Sequence, residues 1–525
     1  MVRKRIAFCL ALLVLVGCGD RKAEDLVLVF GRGGDSVGLD PALEDDGESF
    51  KVCDNIYDTL VRYREESTEL EPGLASSWEA SEDGLVWTFH LRSGVRFHDG
   101  TDLNAEAVVF SLKRQYDKDH PAHKVEGAYK YWKAMSMSEI VKDVRAKDSL
   151  TVVIELKQPN APFLSNLAMN FCAIVSPAAV LKHGIDYFRH PSGSGPFRFR
   201  HWRKDDQILL ERNPDCWEGA PKFDRLIFRC IPDQSVRLLE LKKGTIDFID
   251  NLLPDFVSEI REDPALEFLS QPGMNIGYLA MNMDRAPFDN LLVRQAVNHA
   301  INRKSLADNL FQGLAVPAKN PVPPTVWGYD DDVPGYAYDP PRARELLAQA
   351  GFPAGFQTEL WAMSTPRPYM PHPQKVAEAV QADLRAVGVQ ARIVTWEWGT
   401  YLDKVENGEH PMALLGWIGD NGDPDNFLYV LLDKSVAMSK PSQNIAFYRS
   451  DELHEILTEA RRVSDRSRRT ALYRNAQQII HRDAPWAPLV HTTQTAAFRK
   501  KVRGFHLHPT GSFRFHRTEI AADAK

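Results

Sequence analysis

A chain of 525 residues, 44% hydrophobic and 26% charged, is too long for one hydrophobic core and too ordinary in composition for disorder, so two or three globular domains are expected. The formal charge of −7 becomes −10 once Arg3, Lys4 and Arg5 are removed with residues 1–17. That acidity argues against a nucleic-acid partner, which would require a basic face.

The three basic residues precede the apolar run Ile6 to Val16. Eleven residues cannot cross a hydrocarbon layer of roughly 30 Å as a helix, so this stretch reads as a secretory signal. It ends Leu15-Val16-Gly17-Cys18, which resembles the lipobox of bacterial lipoproteins, where the cysteine is lipidated and becomes the first mature residue. An ordinary signal peptide with an incidental cysteine is the alternative. The small residues before Cys18 and the polar Asp20-Arg21-Lys22 after it favour the lipoprotein. No later stretch is long and apolar enough to span a membrane, so the body is expected to be extracytoplasmic and tethered.

Val27-Leu28-Val29-Phe30 reads as a short strand running into Gly31-Arg32-Gly33-Gly34-Asp35. The glycines invite a dinucleotide reading, but the GxGxxG spacing fails and Pro41 breaks the helix that should follow. From Leu85 the pattern reads strand, turn, strand, turn, helix, with Asp102 or Asn104 as the helix cap. Thr151 to Leu156 is another strand, and Gly193 to Phe199 a turn opening one. Cys53, Cys172, Cys216 and Cys230 permit two disulfides in an oxidising compartment, and Cys216 and Cys230, flanking Gly219 and Pro221, suggest a local bridge.

Past Pro272 the texture becomes helix and strand in alternation. Val293 to Ile301 has helical spacing. Asp339-Pro340 caps a second helix stopped by Gly351, and Lys375 to Val387 is a third, ended by Gly388. Val389, Ala391 and Ile393 then alternate as a strand, and Arg461 to His481 reads as one long helix stopped by Asp483-Ala484-Pro485.

Several patterns imitate catalytic or metal sites. His481-Arg482-Asp483 lacks the asparagine and glycine-rich loop of a kinase, His454-Glu455 lacks the second histidine of a zinc-protease helix, and there is no GxSxG. Asp420 to Asp425 lies in LGWIGDNGDPDNF and hints at a calcium loop. Gly422 stands at its third position, Pro424 inside it and Leu431 at its twelfth, which rules that reading out. No enzyme activity, metal or cofactor is expected.

The segments LEPGLASSWEASEDGLVWTFHLRSGVRFHDGT, GSGPF, LERNPDCWEG and GYLAMNMDRAPFDNLLVRQAVNHAINR together resemble the family of periplasmic solute-binding proteins of ABC transporters that carry peptides, nickel and haem-like ligands. NPVPPTVWGYDDD, RPYMPHPQKVAEAVQADLRAVGVQ and EWGTYLDKVENGEHPMALLGWIGDNGDPDNF resemble the dipeptide-binding branch. The resemblance implies an α/β, two-lobed periplasmic binding protein fold of the type II, large peptide-binding class, hinged between lobes. Lobe one would be residues 18–272, lobe two 273–489, and residues 490–525 would return to lobe one.

The resemblance also implies a site. Arg367 would grip the α-carboxylate of a short peptide and Asp420 its α-ammonium. Tyr369, Trp398 and Trp417 would line the side-chain pockets, with Gly416 and Gly419 lining the cleft. Asp423, Asp425 and Asn426 read as turn and cap residues. The implied partners are an inner-membrane ABC permease with its ATPase subunits, and the membrane through the lipid on Cys18; a monomer is expected in the periplasm. Two departures stand out: Ile418 where the branch has serine or threonine, and the divergent GRGGDSVGLDP loop. They leave haem, glutathione-like or metal-chelate solutes as the alternative to a dipeptide.

Overall fold

A computed structural model of the chain describes residues 25–124 and 128–521, so the signal segment and Cys18 lie outside the described residues. The backbone of the molecule is a mixed sheet of twelve strands. From one edge its main path runs Val389–Trp396, Phe356–Met363, Met412–Ile418, Asn275–Met281, Trp486–Arg499, Phe248–Asp250, Val27–Arg32, Arg225–Cys230, Gln207–Arg212 and Phe197–Arg203. Four further strands form a separate antiparallel sheet in the order Ala75–Ala80, Val86–Leu91, Thr151–Leu156 and Val141–Asp148.

The elements used below are β1 (Val27–Arg32), α1 (Gly47–Ile56), α2 (Lys130–Ala134), α3 (Phe163–Leu167), β2 (Leu266–Pro272), β3 (Asn275–Met281), β4 (Phe356–Met363), α4 (Pro373–Ala386), β5 (Val389–Trp396), α5 (Trp398–Glu406), β6 (Met412–Ile418), α6 (Asp425–Leu432), α7 (Asp451–Arg462), α8 (Arg466–Asp483) and β7 (Trp486–Arg499). Two bodies share the long strand β7. Its first part, Trp486 to Val490, pairs with β3, and its second part, Thr493 to Arg499, pairs with β2. The chain passes from β2 to β3 at Gly273, where an added Cβ would stand 2.4 Å from the Thr492 carbonyl oxygen and 2.1 Å from Asn275 Nδ2, so only glycine fits the crossing. Asn275 ties the crossing together: its Nδ2 donates to the Thr492 carbonyl at 3.1 Å and its Oδ1 accepts from the Thr492 N–H at 2.8 Å.

Beyond the crossing, β4, α4, β5, α5 and β6 form strand–helix–strand units in which β5, β4 and β6 are parallel neighbours. Near the other end of the sheet, Phe30, Phe248, Phe498, Phe505, Phe513 and Phe515 pack ring against ring as the heart of a second core.

Most expected elements form where the sequence places them, with three differences. Asn104, not Asp102, caps its helix, accepting from the Ala107 N–H at 3.0 Å, and the strand expected before it shrinks to a single bridge between Arg96 and Asp102. The helix expected over Arg461 to His481 is two helices, α7 and α8. Asp465 breaks the run by accepting from the Arg468 N–H at 2.7 Å, since a short acidic side chain satisfies a helix start better than it continues a helix.

The third difference is a correction. Cys216 and Cys230 are both free thiols. The strands Gln207–Arg212 and Arg225–Cys230 form a hairpin with Glu211 opposite Arg225 and Gln207 opposite Arg229. Cys216 therefore sits past the turn end of the hairpin and Cys230 at its other end, beside Asp206. Five strand residues at about 3.3 Å each separate those ends, whereas a disulfide needs Cα atoms within roughly 7 Å. Thiol labelling in denaturant without reductant should mark both Cys216 and Cys230; a linked, unlabelled peptide pair would contradict this placement.

Candidate functional site

Parallel strands carry their chain to one common edge, and ligands of open α/β sheets bind at the carboxyl ends of such strands. Here β5 and β4 end side by side at Trp396 and Met363, and their parallel neighbour β6 runs about three residues further in the same direction to Ile418. Trp398, Arg367 and Asp420 each follow one of these ends by a few residues, so three separate segments deliver an indole, a guanidinium and a carboxylate to the same rim.

Arg367 is fixed by its backbone. It exchanges two hydrogen bonds with Met370, Arg367 N–H to Met370 O at 3.2 Å and Met370 N–H to Arg367 O at 2.9 Å. The following carbonyl, that of Pro368, lies 3.0 Å from the Thr492 hydroxyl, which anchors this turn to the strand crossing. The guanidinium carbon stands 3.9 Å from the centre of the Trp398 ring, a cation–π contact that holds the fork flat. Its Nε is buried and has no hydrogen-bond partner, and among the described residues no carboxylate is within ion-pairing distance of Arg367.

Asp420 presents the complementary case. It is half-buried, and its carboxylate accepts from Tyr131 OH at 3.1 Å and from Asn426 Nδ2 at 3.1 Å. Both donors are neutral, so burial pushes this carboxyl up to about 7, with the two hydrogen bonds pulling the other way. The other aspartates of LGWIGDNGDPDNF have cations: Asp423 meets Arg469 at 2.8 Å and Asp425 meets Arg461 at 3.5 Å. Asp423 also accepts from the Asp425 N–H at 3.0 Å, which makes the turn into α6. Among the described residues Asp420 has no such cation.

Asn426 does more than shape a turn. Its Oδ1 accepts from Trp417 Nε1 at 2.9 Å and from the Asp420 N–H at 3.0 Å, so it orients the indole and the acid together. Tyr369 is 6% exposed, and its ring lies over Gly416, where a Cβ would come within 2.2 Å of Tyr369 Cδ2. Gly419 likewise faces the Phe427 ring and Met274. The Tyr369 ring and the Ile276 carbonyl oxygen crowd Gly416, and the Phe427 ring and Met274 crowd Gly419, so the absence of a Cβ at the two glycines serves packing. Trp398 and Trp417 remain half-buried.

Sequence reasoning did not reach Tyr131, which acts on Asp420 from 289 residues away and from the other body. It also assigned Asn426 only a turn. No spacing signal marks the first; the second could have been found from its place six residues after Asp420 in a polar loop. Among the described residues no group of three or more metal-ligating side chains is assembled, and no helix is long and apolar enough to cross a membrane.

Residues 69–439 match the family model of bacterial extracellular solute-binding proteins, family 5. The chain is 39% identical over 508 residues to the dipeptide-binding protein of Escherichia coli (strain K12), covering 94% of each chain, and 39% identical over 501 residues to heme-binding protein A of Haemophilus influenzae, covering 92% of this chain and 90% of that one. Among solved structures it is similar to the ABC transporter-associated periplasmic binding protein DppA of Helicobacter pylori in complex with the peptide STSA, with a TM-score of 0.87 at 40% identity over 94% of this chain and 98% of that one. A dipeptide binding protein of Pseudoalteromonas sp. SM9913 in complex with Met-Leu superposes with a TM-score of 0.88 at 29% identity, over 94% of this chain and all of the other.

Proposed function

The chain belongs to the bacterial extracellular solute-binding proteins of family 5, and on that premise we propose that it is the binding component of an ABC importer for short peptides, dipeptides foremost. Asp420 pairs with the peptide's α-ammonium and Arg367 with its α-carboxylate. The observation that carries this reading is a carboxylate and a guanidinium, neither compensated by an opposite charge among the described residues, set at one rim of a parallel sheet. A zwitterion with charges at both ends is the simplest solute that compensates both. A guanidinium fork accepts a carboxylate bidentately, and water excluded on closure sharpens discrimination against blocked termini.

The crossing at Gly273, Asn275 and Thr492 serves as the hinge between lobe one (18–272 and 490–525) and lobe two (273–489). Ligand contacts from both lobes stabilise the closed form. The Thr492–Pro368 contact links the hinge strand to the Arg367 turn. The peptide is handed unaltered to an inner-membrane permease and its ATPase subunits. A lipid on Cys18 tethers the monomeric receptor to the membrane.

Relatives that bind peptides, in complexes with STSA and with Met-Leu, support the peptide reading, while a heme-binding relative keeps a tetrapyrrole in view as the second reading. Native mass spectrometry of the purified protein tests it. A pool of small peptides released on unfolding is the expected result; a Soret band or bound metal with no peptide would overturn it.

A further inference from the structure

The acid at the rim is held from both bodies of the molecule. Asn426 is 1% exposed, and its orientation is fixed by its own bonds: Oδ1 faces two N–H donors, so Nδ2 must point at Asp420 Oδ2. The second side of Nδ2 faces Met135 Sδ at 3.6 Å. Met135 caps the end of α2, four residues after Tyr131, whose hydroxyl donates to Asp420 Oδ1, so this helical turn and its cap meet the acid and its brace together. The flank is tied the same way, by Asn421 Nδ2 donating to Asn166 Oδ1 at 2.7 Å and by Gly422 lying against Thr68. Approach of the two bodies therefore encloses the Asp420 carboxylate among neutral donors.

Among the described residues the ionisable group bonded to it is Tyr131 on α2, and Tyr63, from the strand Val61–Tyr63, feels its charge; burial keeps both tyrosines neutral, while Asp423 is answered by Arg469. We propose that Asn426 and Tyr131 are specificity-determining residues that make closure of the cleft conditional on a cation at Asp420. Asn426 aims the carboxylate, and Tyr131 reports from the opposite lobe that the acid is in place. This rests on the reading of Asp420 as the ammonium partner. An enclosed carboxylate with two neutral hydrogen bonds is poorly compensated for the water it loses. A ligand ammonium corrects that imbalance; an acetylated amine does not. A proton corrects it too. The enclosed acid's pKa is raised, so closure of an empty cleft is favoured at low pH and lost as pH rises through about 7.

Two measurements on the full-length receptor stripped of ligand test the proposal. Small-angle scattering should show the empty wild type contracting from pH 8 to pH 5, and Asp420→Asn already contracted at pH 8. Calorimetry at pH 7 with Ala-Ala and N-acetyl-Ala-Ala should give the wild type a preference for the free amine of roughly 100-fold, falling to under about tenfold in Asn426→Ala and in Tyr131→Phe, because an acid that loses either donor takes up a proton more readily on enclosure and then no longer requires the ammonium. Tyr131→Phe keeps the ring and its packing, so it carries the test if Asn426→Ala fails to fold. Equal binding of the two peptides by the wild type would refute the ammonium reading itself. A wild type that discriminates, with Tyr131→Phe discriminating equally and scattering unchanged by pH and by Asp420→Asn, would refute the gate alone.

Discussion

Arg367→Ala is expected to weaken binding of Ala-Ala by about 2–5 kcal/mol, or roughly thirty- to several-thousandfold, because the ligand carboxylate would then be enclosed without its partner. The size follows from geometry. Arg367 already has its backbone pinned through Met370 and its guanidinium laid on Trp398, so little ordering remains when the ligand arrives. Arg367→Lys should recover only part of the loss, since an ammonium offers a point charge and lacks the planar fork that both stacks and grips. Thermal stability should change little in either variant, as Arg367 makes no ion pair among the described residues. Titration calorimetry reads the affinities; a variant binding as tightly as the wild type would remove Arg367 from the site.

The largest effect on stability is expected at Asp40. Its two oxygens accept from Arg114 Nη1 at 2.8 Å and Nη2 at 2.6 Å, and the side chains of both residues are at most 1% exposed. The pair raises the Arg114 pKa above its ordinary value although burial opposes this, so the guanidinium is charged in the core. Asp40→Ala strands that charge, and breaking a buried pair by removing one partner costs about 3–5 kcal/mol. Asp40→Leu combined with Arg114→Met should recover much of the loss, because the deficit lies in the lone charge more than in the missing attraction. Urea unfolding of the three proteins separates these outcomes. A single variant as stable as the wild type would show that the pair contributes nothing.

Local rules suffice for part of this fold. The Asp339 cap, the helix ended by Gly388 and the strand from Val389 could be read because caps, glycines and period-two alternation act over a few residues. Arg367 and Asp420 were named through the family resemblance, and parallel register explains why residues 53 positions apart share one rim. Three features escaped. Tyr131 meets Asp420 only through the tertiary fold. The cysteine pairing failed because a turn between two cysteines does not reveal that a six-residue strand carries one of them away. The break at Asp465 was hidden by helical periodicity continuing on both sides of a capping acid.

The central claim is that two opposite charges at one rim select a zwitterionic peptide. Calorimetric titration of the ligand-free protein with Ala-Ala, N-acetyl-Ala-Ala and Ala-Ala amide tests it most directly. The account predicts that Ala-Ala binds and that blocking either end weakens binding by about 100-fold or more. Equal affinity for all three would contradict it.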